Sequence, residues 1–232
     1  MAAKVTLSII LPAYMEEENL RQLLPRVSAV LSGIDPDGEI IVVDTLTPLD
    51  NTEEVSRKYG VRYLNRRGGN FFGDAVRTGI AEARGEYVIF MDADGSHPPE
   101  FIRELWRERG NGDVVIASRY IKGGATDNSR LLVLMSHIVN LVYSVVLGLK
   151  CKDVSNSFKL YRGAMLKELT LGCKNFDIVE EILFKIKRKN RDLRIKELPF
   201  SFKKRMFGTT KRNLFVFIFS FVVTLLKLRF GK

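Results

Sequence analysis

The feature that most constrains this chain is a pairing repeated through its first half: a short apolar run, then a segment with helical spacing. Residues 6–11 form an apolar run closed by Pro12, and residues 39–44 are rich in Ile and Val and end at Asp44. Residues 61–64, 86–92 and 113–118 are further strand-like runs. Between them, residues 16–31 have helical spacing, with Pro25 expected to kink or restart the helix. Asn51 or Thr52 can cap a short helix to Tyr59, residues 74–83 read as a helix ending near Gly85, and Pro98-Pro99 start another reaching about Arg109. Strands alternating with helices predict an α/β domain with a mostly parallel sheet flanked by helices on both faces. Such sheets bind ligands at the carboxyl ends of their strands, which is where Asp44, Asp92 and Asp94 fall.

The second half has a different character. Residues 131–149 contain no Asp, Glu, Lys or Arg and match a bilayer-spanning helix in length. Yet Ser136, His137, Asn140, Tyr143 and Ser144 recur every three or four residues and form one polar stripe. A helix with one polar stripe is expected to lie flat in a membrane interface, the competing reading being a buried core helix. Residues 214–226 are a second greasy run, too short to span, in which Ser220, Thr224 and Lys227 share a face with Asn213.

Charge divides the chain the same way. From Lys185 onward there are 15 basic and 2 acidic residues, against 22 and 25 in the preceding 184. A near-neutral body thus carries a strongly basic end, suited to phosphorylated ligands, anionic lipid or nucleic acid. Phe202, Phe207, Phe215, Phe217 and Phe219 are woven through that end, which favours lipid, and no RNA- or DNA-binding motif is present. The two cysteines, Cys151 and Cys173, have neither metal-ligand nor redox spacing and point to a reducing compartment. Residues 1–4 lead straight into a strand-like run, so no signal peptide is expected.

Three motifs carry chemistry. Asp92-Ala93-Asp94 follows the buried run Tyr87-Val88-Ile89-Phe90-Met91, so two carboxylates emerge one residue apart at a strand end. Mg²⁺ and Mn²⁺ prefer such oxygens and keep substrate phosphates as further ligands. The same spacing also fits a solvated turn, and a lone Asp-x-Asp is weak by itself. Directly after the first strand, Pro12-Ala13-Tyr14-Met15-Glu16-Glu17-Glu18-Asn19 offers Tyr14 to stack on a base and Glu16 to accept hydrogen bonds, although acids in a first helical turn also complement the helix dipole. Val43 and Asp44 end the second strand beside the first, where an Asp can meet a base edge or act as a cap.

In this order these motifs resemble the family-2 glycosyltransferases of the GT-A fold, most closely the dolichyl-phosphate mannose synthase type and its polyprenyl-phosphate relatives. Further matching stretches are residues 92–99, Ala117-Ser118-Arg119-Tyr120, Lys122-Gly123-Gly124, residues 153–161 and Arg205-Met206-Phe207-Gly208-Thr209-Thr210-Lys211. The resemblance implies that Pro12, Tyr14, Glu16, Val43, Asp44 and Asp92 hold the nucleotide, and that Asp92 and Asp94 hold Mg²⁺ or Mn²⁺ with the diphosphate. Ser96 stands where a further metal ligand, usually Gln, is found. Arg119, Arg130 and Arg205 match acceptor-phosphate positions, and Lys211 is a further candidate. The departures are Thr45 where a second acid is usual, Met15 for a common Asn, an altered turn at residues 46–52, and Val179 where an acid is expected three residues after Phe176.

The expected architecture is a nucleotide-sugar half over residues 1–130, an amphipathic interface helix over 131–149, an acceptor-side part over 150–212 and a membrane-surface helix over 213–232. The expected reaction is inverting transfer of a hexose, mannose or glucose, from a GDP- or UDP-sugar to a polyprenyl phosphate. Asp92, Asp94, Arg119 and Arg205 would serve catalysis. A polyprenyl phosphate is an ionised nucleophile, so the enzyme's task is to bring two anions together and neutralise the leaving group. Residues 205–211 read as a mobile loop hinged at Gly208 that closes over both substrates. The setting would be peripheral, on the cytoplasmic face of a membrane, with room for a membrane-protein partner or a second copy of the chain. The alternatives are a transferase acting on a glycolipid or polysaccharide, and a catalytically silent nucleotide-sugar-binding module.

Overall fold

The computed structural model describes residues 5–207 and 214–230. In chain order the elements are β1 (Leu7–Pro12), α1 (Glu17–Ser32), β2 (Glu39–Asp44), α2 (Thr52–Lys58), β3 (Arg62–Asn65), α3 (Phe72–Glu82) and β4 (Tyr87–Phe90). A 3₁₀ turn at Pro99–Phe101 then leads into α4 (Ile102–Arg107), followed by β5 (Val114–Ser118), β6 (Ala125–Thr126) and α5 (Arg130–Leu147). The remainder is β7 (Lys159–Arg162), α6 (Gly163–Lys167), α7 (Ile178–Lys189), β8 (Ile195–Pro199), β9 (Ser201–Phe202) and α8 (Leu214–Phe230).

Seven strands make one sheet in the order β3-β2-β1-β4-β7-β5-β8. All neighbours run parallel except β7, which lies antiparallel between β4 and β5. The five strands of the first half appear where expected, each within two residues. Strand periodicity sorts their side chains onto two faces. Leu7, Ile9 and Leu11 join Val42, Ile89 and Val115 beneath α1, α2 and α4. Ile10, Ile41, Val88, Phe90 and Ile116 join the opposite core, with α3, α5, α7 and α8.

Helix α1 continues through Pro25 as one helix, so the proline does not restart it. Proline removes the N–H that would bond the carbonyl four residues back. That carbonyl, on Arg21, instead accepts from the Tyr59 hydroxyl at 3.3 Å.

Helix α5 is not a buried core helix. Leu131, Leu134, Ile138, Leu141 and Val145 are each more than half exposed and form one apolar stripe. Its polar stripe faces the protein: Asn140 and Tyr143 are buried, and Asn140 Oδ1 accepts from the Ser155 N–H at 2.8 Å. The Asn140 amide also donates to Ser155 Oγ (3.0 Å) and Ser136 O (2.8 Å). Helix α8 packs on α5 through an edge-to-face contact of Tyr143 and Phe221, with ring centroids 4.7 Å apart. Thr224, on its expected polar face, is turned inward and donates to Asp177 Oδ2 at 2.5 Å.

Candidate active site

The parallel register of β1, β2 and β4 brings their carboxyl ends to one edge of the sheet: Ile10 is opposite Ile41 on one side and Phe90 on the other. The chain leaves β1 through Pro12, Ala13 and Tyr14, with Met15 at a positive φ of 56°. It leaves β4 into the loop that carries Asp92 and Asp94.

That loop is held by local chemistry. Asp92 N–H donates to His97 Nδ1 at 3.0 Å, and Asp94 Oδ1 accepts from the Ser96 N–H at 3.0 Å. His97 is fully buried, stacked on Phe158 with centroids 4.7 Å apart, and burial pushes its imidazole below the ordinary value. A neutral ring accepting from the Asp92 amide orients the backbone of this loop. The Asp92 side chain stays 27% exposed and its Oδ1 accepts from Ser157 Oγ at 2.8 Å. Gly95 turns with φ +79°.

Among the described residues no three His, Cys, Asp or Glu side chains converge as a metal site. The oxygen donors at this loop nevertheless suit a hard cation that keeps phosphate ligands. Two carboxylates sit one residue apart, and Ser96 Oγ is buried without a hydrogen-bond partner among the described residues, an arrangement that costs free energy unless something else meets that oxygen.

Asp92 opens onto a cavity lined by Pro12, Phe72, Val76, Phe90, Ser157, Tyr161, Val179 and Ile182. Asp92 is the one acid in that lining. Val179 occupies the place where the family acid was expected, and Glu181 points elsewhere, accepting from the Gly172 and Cys173 N–H groups and pairing with Lys185 at 2.7 Å.

The nucleotide candidates divide. Glu16 lies beside the metal loop, and burial raises its carboxyl although Asn19 and Arg205 act in the opposite sense. Tyr14 is exposed at the same edge. Val43 is core, and it is its backbone carbonyl that reaches the site's edge, accepting from the Ala13 N–H at 2.9 Å. Asp44 is fully buried; burial raises its carboxyl, and its Oδ2 accepts from the Tyr63 hydroxyl at 3.1 Å. Thr45, also buried, donates to Thr47 O at 2.7 Å.

The acceptor candidates divide too. Arg119 forms a bidentate pair with buried Asp153, at 2.8 and 2.7 Å, and also donates to Ser155 Oγ at 3.0 Å. Burial opposes its charge, yet the Asp153 hydrogen bonds and charge hold its guanidinium above the ordinary value. Arg205 donates to Glu16 Oε1 at 2.9 Å, which places it directly against the nucleotide candidates. Arg130 opens α5, exposed, and no hydrogen bond or ion pair of the described residues joins it to the others. Lys211 and Gly208 lie outside the described residues.

Sequence reasoning missed several residues. Arg66 is buried and donates to Asp44 O (3.0 Å), Asn70 O (3.0 Å), Phe71 O (3.2 Å) and Ala13 O, tying three loops of the nucleotide edge together. Lys159, fully buried with its ammonium pushed down by burial, donates to Val154 O (2.9 Å) and Asn156 O and so organises the 153–157 loop. A run as polar as Asp153-Val154-Ser155-Asn156-Ser157 before a strand was the available signal. No local pattern marked Arg66.

Residues 8–170 match Glycosyl transferase family 2. The chain belongs to that family. This family-2 transferase is 35% identical over 209 residues to a dolichol-phosphate mannosyltransferase of Pyrococcus furiosus, covering 88% of its own length and 58% of that enzyme's. It is 29% identical over 218 residues to an undecaprenyl-phosphate mannosyltransferase of Micrococcus luteus, covering 88% of itself and 86% of the relative. A crystal structure of glucosyl-3-phosphoglycerate synthase from Mycobacterium tuberculosis, in complex with Mn²⁺, UDP and glucosyl-3-phosphoglycerate, superposes with a TM-score of 0.73 at 19% identity, covering 97% of this chain and 80% of the other. That likeness establishes the fold as the GT-A kind expected from the sequence.

Proposed function

We propose that this transferase moves a hexose from a nucleoside-diphosphate sugar to a polyprenyl phosphate, with inversion, at the cytoplasmic face of a membrane. The observation that carries the reading is the lining beside Asp92, whose polar side-chain groups are the Asp92 carboxylate, which a metal would occupy, and the Ser157 and Tyr161 hydroxyls. A hydroxyl acceptor needs a base to take its proton; a phosphate monoester arrives ionised and needs none. Mannose and a dolichyl-type phosphate are the favoured pair, because the two mannosyltransferases above act on lipid phosphates by their names.

Asp92, Asp94 and Ser96 would hold Mg²⁺ or Mn²⁺, which when bound offsets the charge of the departing diphosphate. Ser157 and His97 fix the Asp92 carboxylate and backbone that face the donor. Pro12, Tyr14 and Glu16 would border the base and ribose. The buried Asp44 would act by shaping that border with Tyr63 and Arg66, or would meet the base once Tyr63 moves. Arg119 and Arg205 would receive the acceptor phosphate, for which a planar guanidinium is well shaped.

The exposed apolar stripe of α5 supports the membrane setting. A helix that turns its polar side inward and its aliphatic side outward suits lipid on the outside. Residues 130–147 are also long and apolar enough to cross a membrane by length and composition.

The test incubates the full chain and Mn²⁺ with radiolabelled GDP- and UDP-hexoses and polyprenyl phosphates. Label that partitions into organic solvent and is lost with EDTA is the expected result. Label confined to a water-soluble glycan would overturn the lipid-phosphate acceptor, and a chain that binds donor without turnover would be a silent binding module.

A further inference from the structure

The basic segment after β9 is tied to the Asp92–Asp94 loop by its backbone. Lys203 N–H donates to Ser96 O at 3.1 Å and Met206 N–H to Asp94 O at 3.0 Å. The Met206 side chain lies over Gly95, where a Cβ would come within 2.5 Å of Met206 Cε. Beyond these contacts one buried side chain holds the segment. Asn19, in the first turn of α1 and 3% exposed, accepts from the Phe207 N–H at 3.0 Å and donates to Phe207 O at 3.4 Å, pairing with that backbone as a neighbouring strand would. Its other amide hydrogen goes to Glu16 Oε2 at 2.5 Å. The second oxygen of Glu16 receives Arg205, whose Nε also donates to Phe207 O at 2.8 Å.

We propose that Asn19 is a positioning residue that clasps residues 203–207 over the metal loop and thereby sets Arg205 between donor and acceptor. The proposal rests on the reading of Arg205 as a phosphate-binding group. An amide suits the task because it accepts and donates at once and keeps a hydrogen for the Glu16 carboxylate. Aspartate would lose both donors and set a second charge beside Glu16. A helix-capping role does not account for the residue, since its bonds run to Glu16 and to Phe207 rather than to the open N–H groups of α1.

The experiment compares full-length wild type with Asn19→Ala and Asn19→Asp. Limited trypsin digestion read by mass spectrometry follows cleavage after Lys203, Lys204 and Arg205, and steady-state kinetics give KM for each substrate. In Asn19→Ala, losing both bonds to Phe207 should speed cleavage at those three sites by about tenfold; Asn19→Asp, which still accepts from the Phe207 N–H, should speed it less, with cleavage after Lys122 unchanged in both. KM for polyprenyl phosphate should rise more than KM for the nucleotide sugar, with kcat changing least. Unchanged cleavage at residues 203–205 in folded variants, or equal rises in both KM values, overturns the proposal. So does loss of the thermal melting transition in both variants, which would assign Asn19 to the stability of α1 instead. If cleavage accelerates while wild type makes no lipid-linked sugar, the clasp stands and the acceptor reading falls.

Discussion

Arg119 and Asp92 meet their neighbours in opposite ways, and substitution should separate them. Arg119 is committed to Asp153, whose carboxylate is fully buried. Arg119→Ala strips that buried charge of its guanidinium partner, leaving it the backbone N–H groups of residues 119 and 156, and breaking such a pair costs about 3–5 kcal/mol; urea unfolding should register that loss beside any loss of transfer. Asp92 has its carboxylate part-exposed and, among the described residues, one hydrogen-bond partner, Ser157, with His97 Nε2 3.9 Å away, so Asp92→Ala should leave the melting temperature nearly unmoved. Turnover should nonetheless fall by roughly a hundredfold or more, because charge stabilisation at the leaving group is worth several kcal/mol. A stable Asp92→Ala that still transfers sugar would remove Asp92 from the mechanism. Asp92 and Asp94 stood out in the sequence because a buried apolar strand leads into them and Pro98-Pro99 follow, although the spacing alone also fits a solvated turn. It hid Asn19 and Arg66 because their partners are backbone carbonyls and amides far along the chain, and backbone leaves no trace in residue identity.

At the scale of the element, α5 has a sidedness that composition alone left open. Its periodicity revealed a polar stripe but not which side faced the protein. The answer came from Asn140, whose amide needs partners that the 153–155 loop supplies. Exposed aliphatic side chains do not hold the fold together, so Leu134→Asp with Leu141→Asp should leave the circular dichroism spectrum and melting temperature close to wild type. The same pair should weaken sedimentation with phosphatidylglycerol–phosphatidylcholine vesicles, since each Leu withdrawn from lipid forfeits about 1.5–3 kcal/mol. Unchanged sedimentation would move membrane contact elsewhere. In α1, Tyr59→Phe removes the hydroxyl that meets the carbonyl freed by Pro25 and should cost about 1 kcal/mol or less. That cost should disappear when Pro25→Ala restores the helical N–H. The sequence showed the proline; the remedy comes from a residue 34 positions later.

Across the whole molecule, Glu39 joins pieces distant in sequence. Its carboxylate accepts from Ser8 Oγ (2.6 Å) and the Arg84 N–H (2.7 Å) and pairs with Arg62, linking β1, β2, β3 and the turn before β4. Burial would raise its carboxyl, but these bonds and the Arg62 charge together hold it below the ordinary 4.5. A depressed acid contributes stability that is present above the unfolded value and is lost as pH falls through the folded one. The melting temperature should therefore drop as pH goes below about 4.5, and Glu39→Gln should flatten that dependence while lowering the plateau at neutral pH. The antiparallel strand β7 has a different whole-chain consequence. It sits between β4 and β5 but is made after both, so a nascent chain carries β1 to β5 out of the ribosome before the strand that must separate the last two exists. Until residue 162 emerges, β4 and β5 each keep an open edge, a template for pairing with the wrong chain. A fragment of residues 1–130 should accordingly sediment as aggregate, and holdase chaperones should engage the nascent chain most strongly between the emergence of β5 and that of β7.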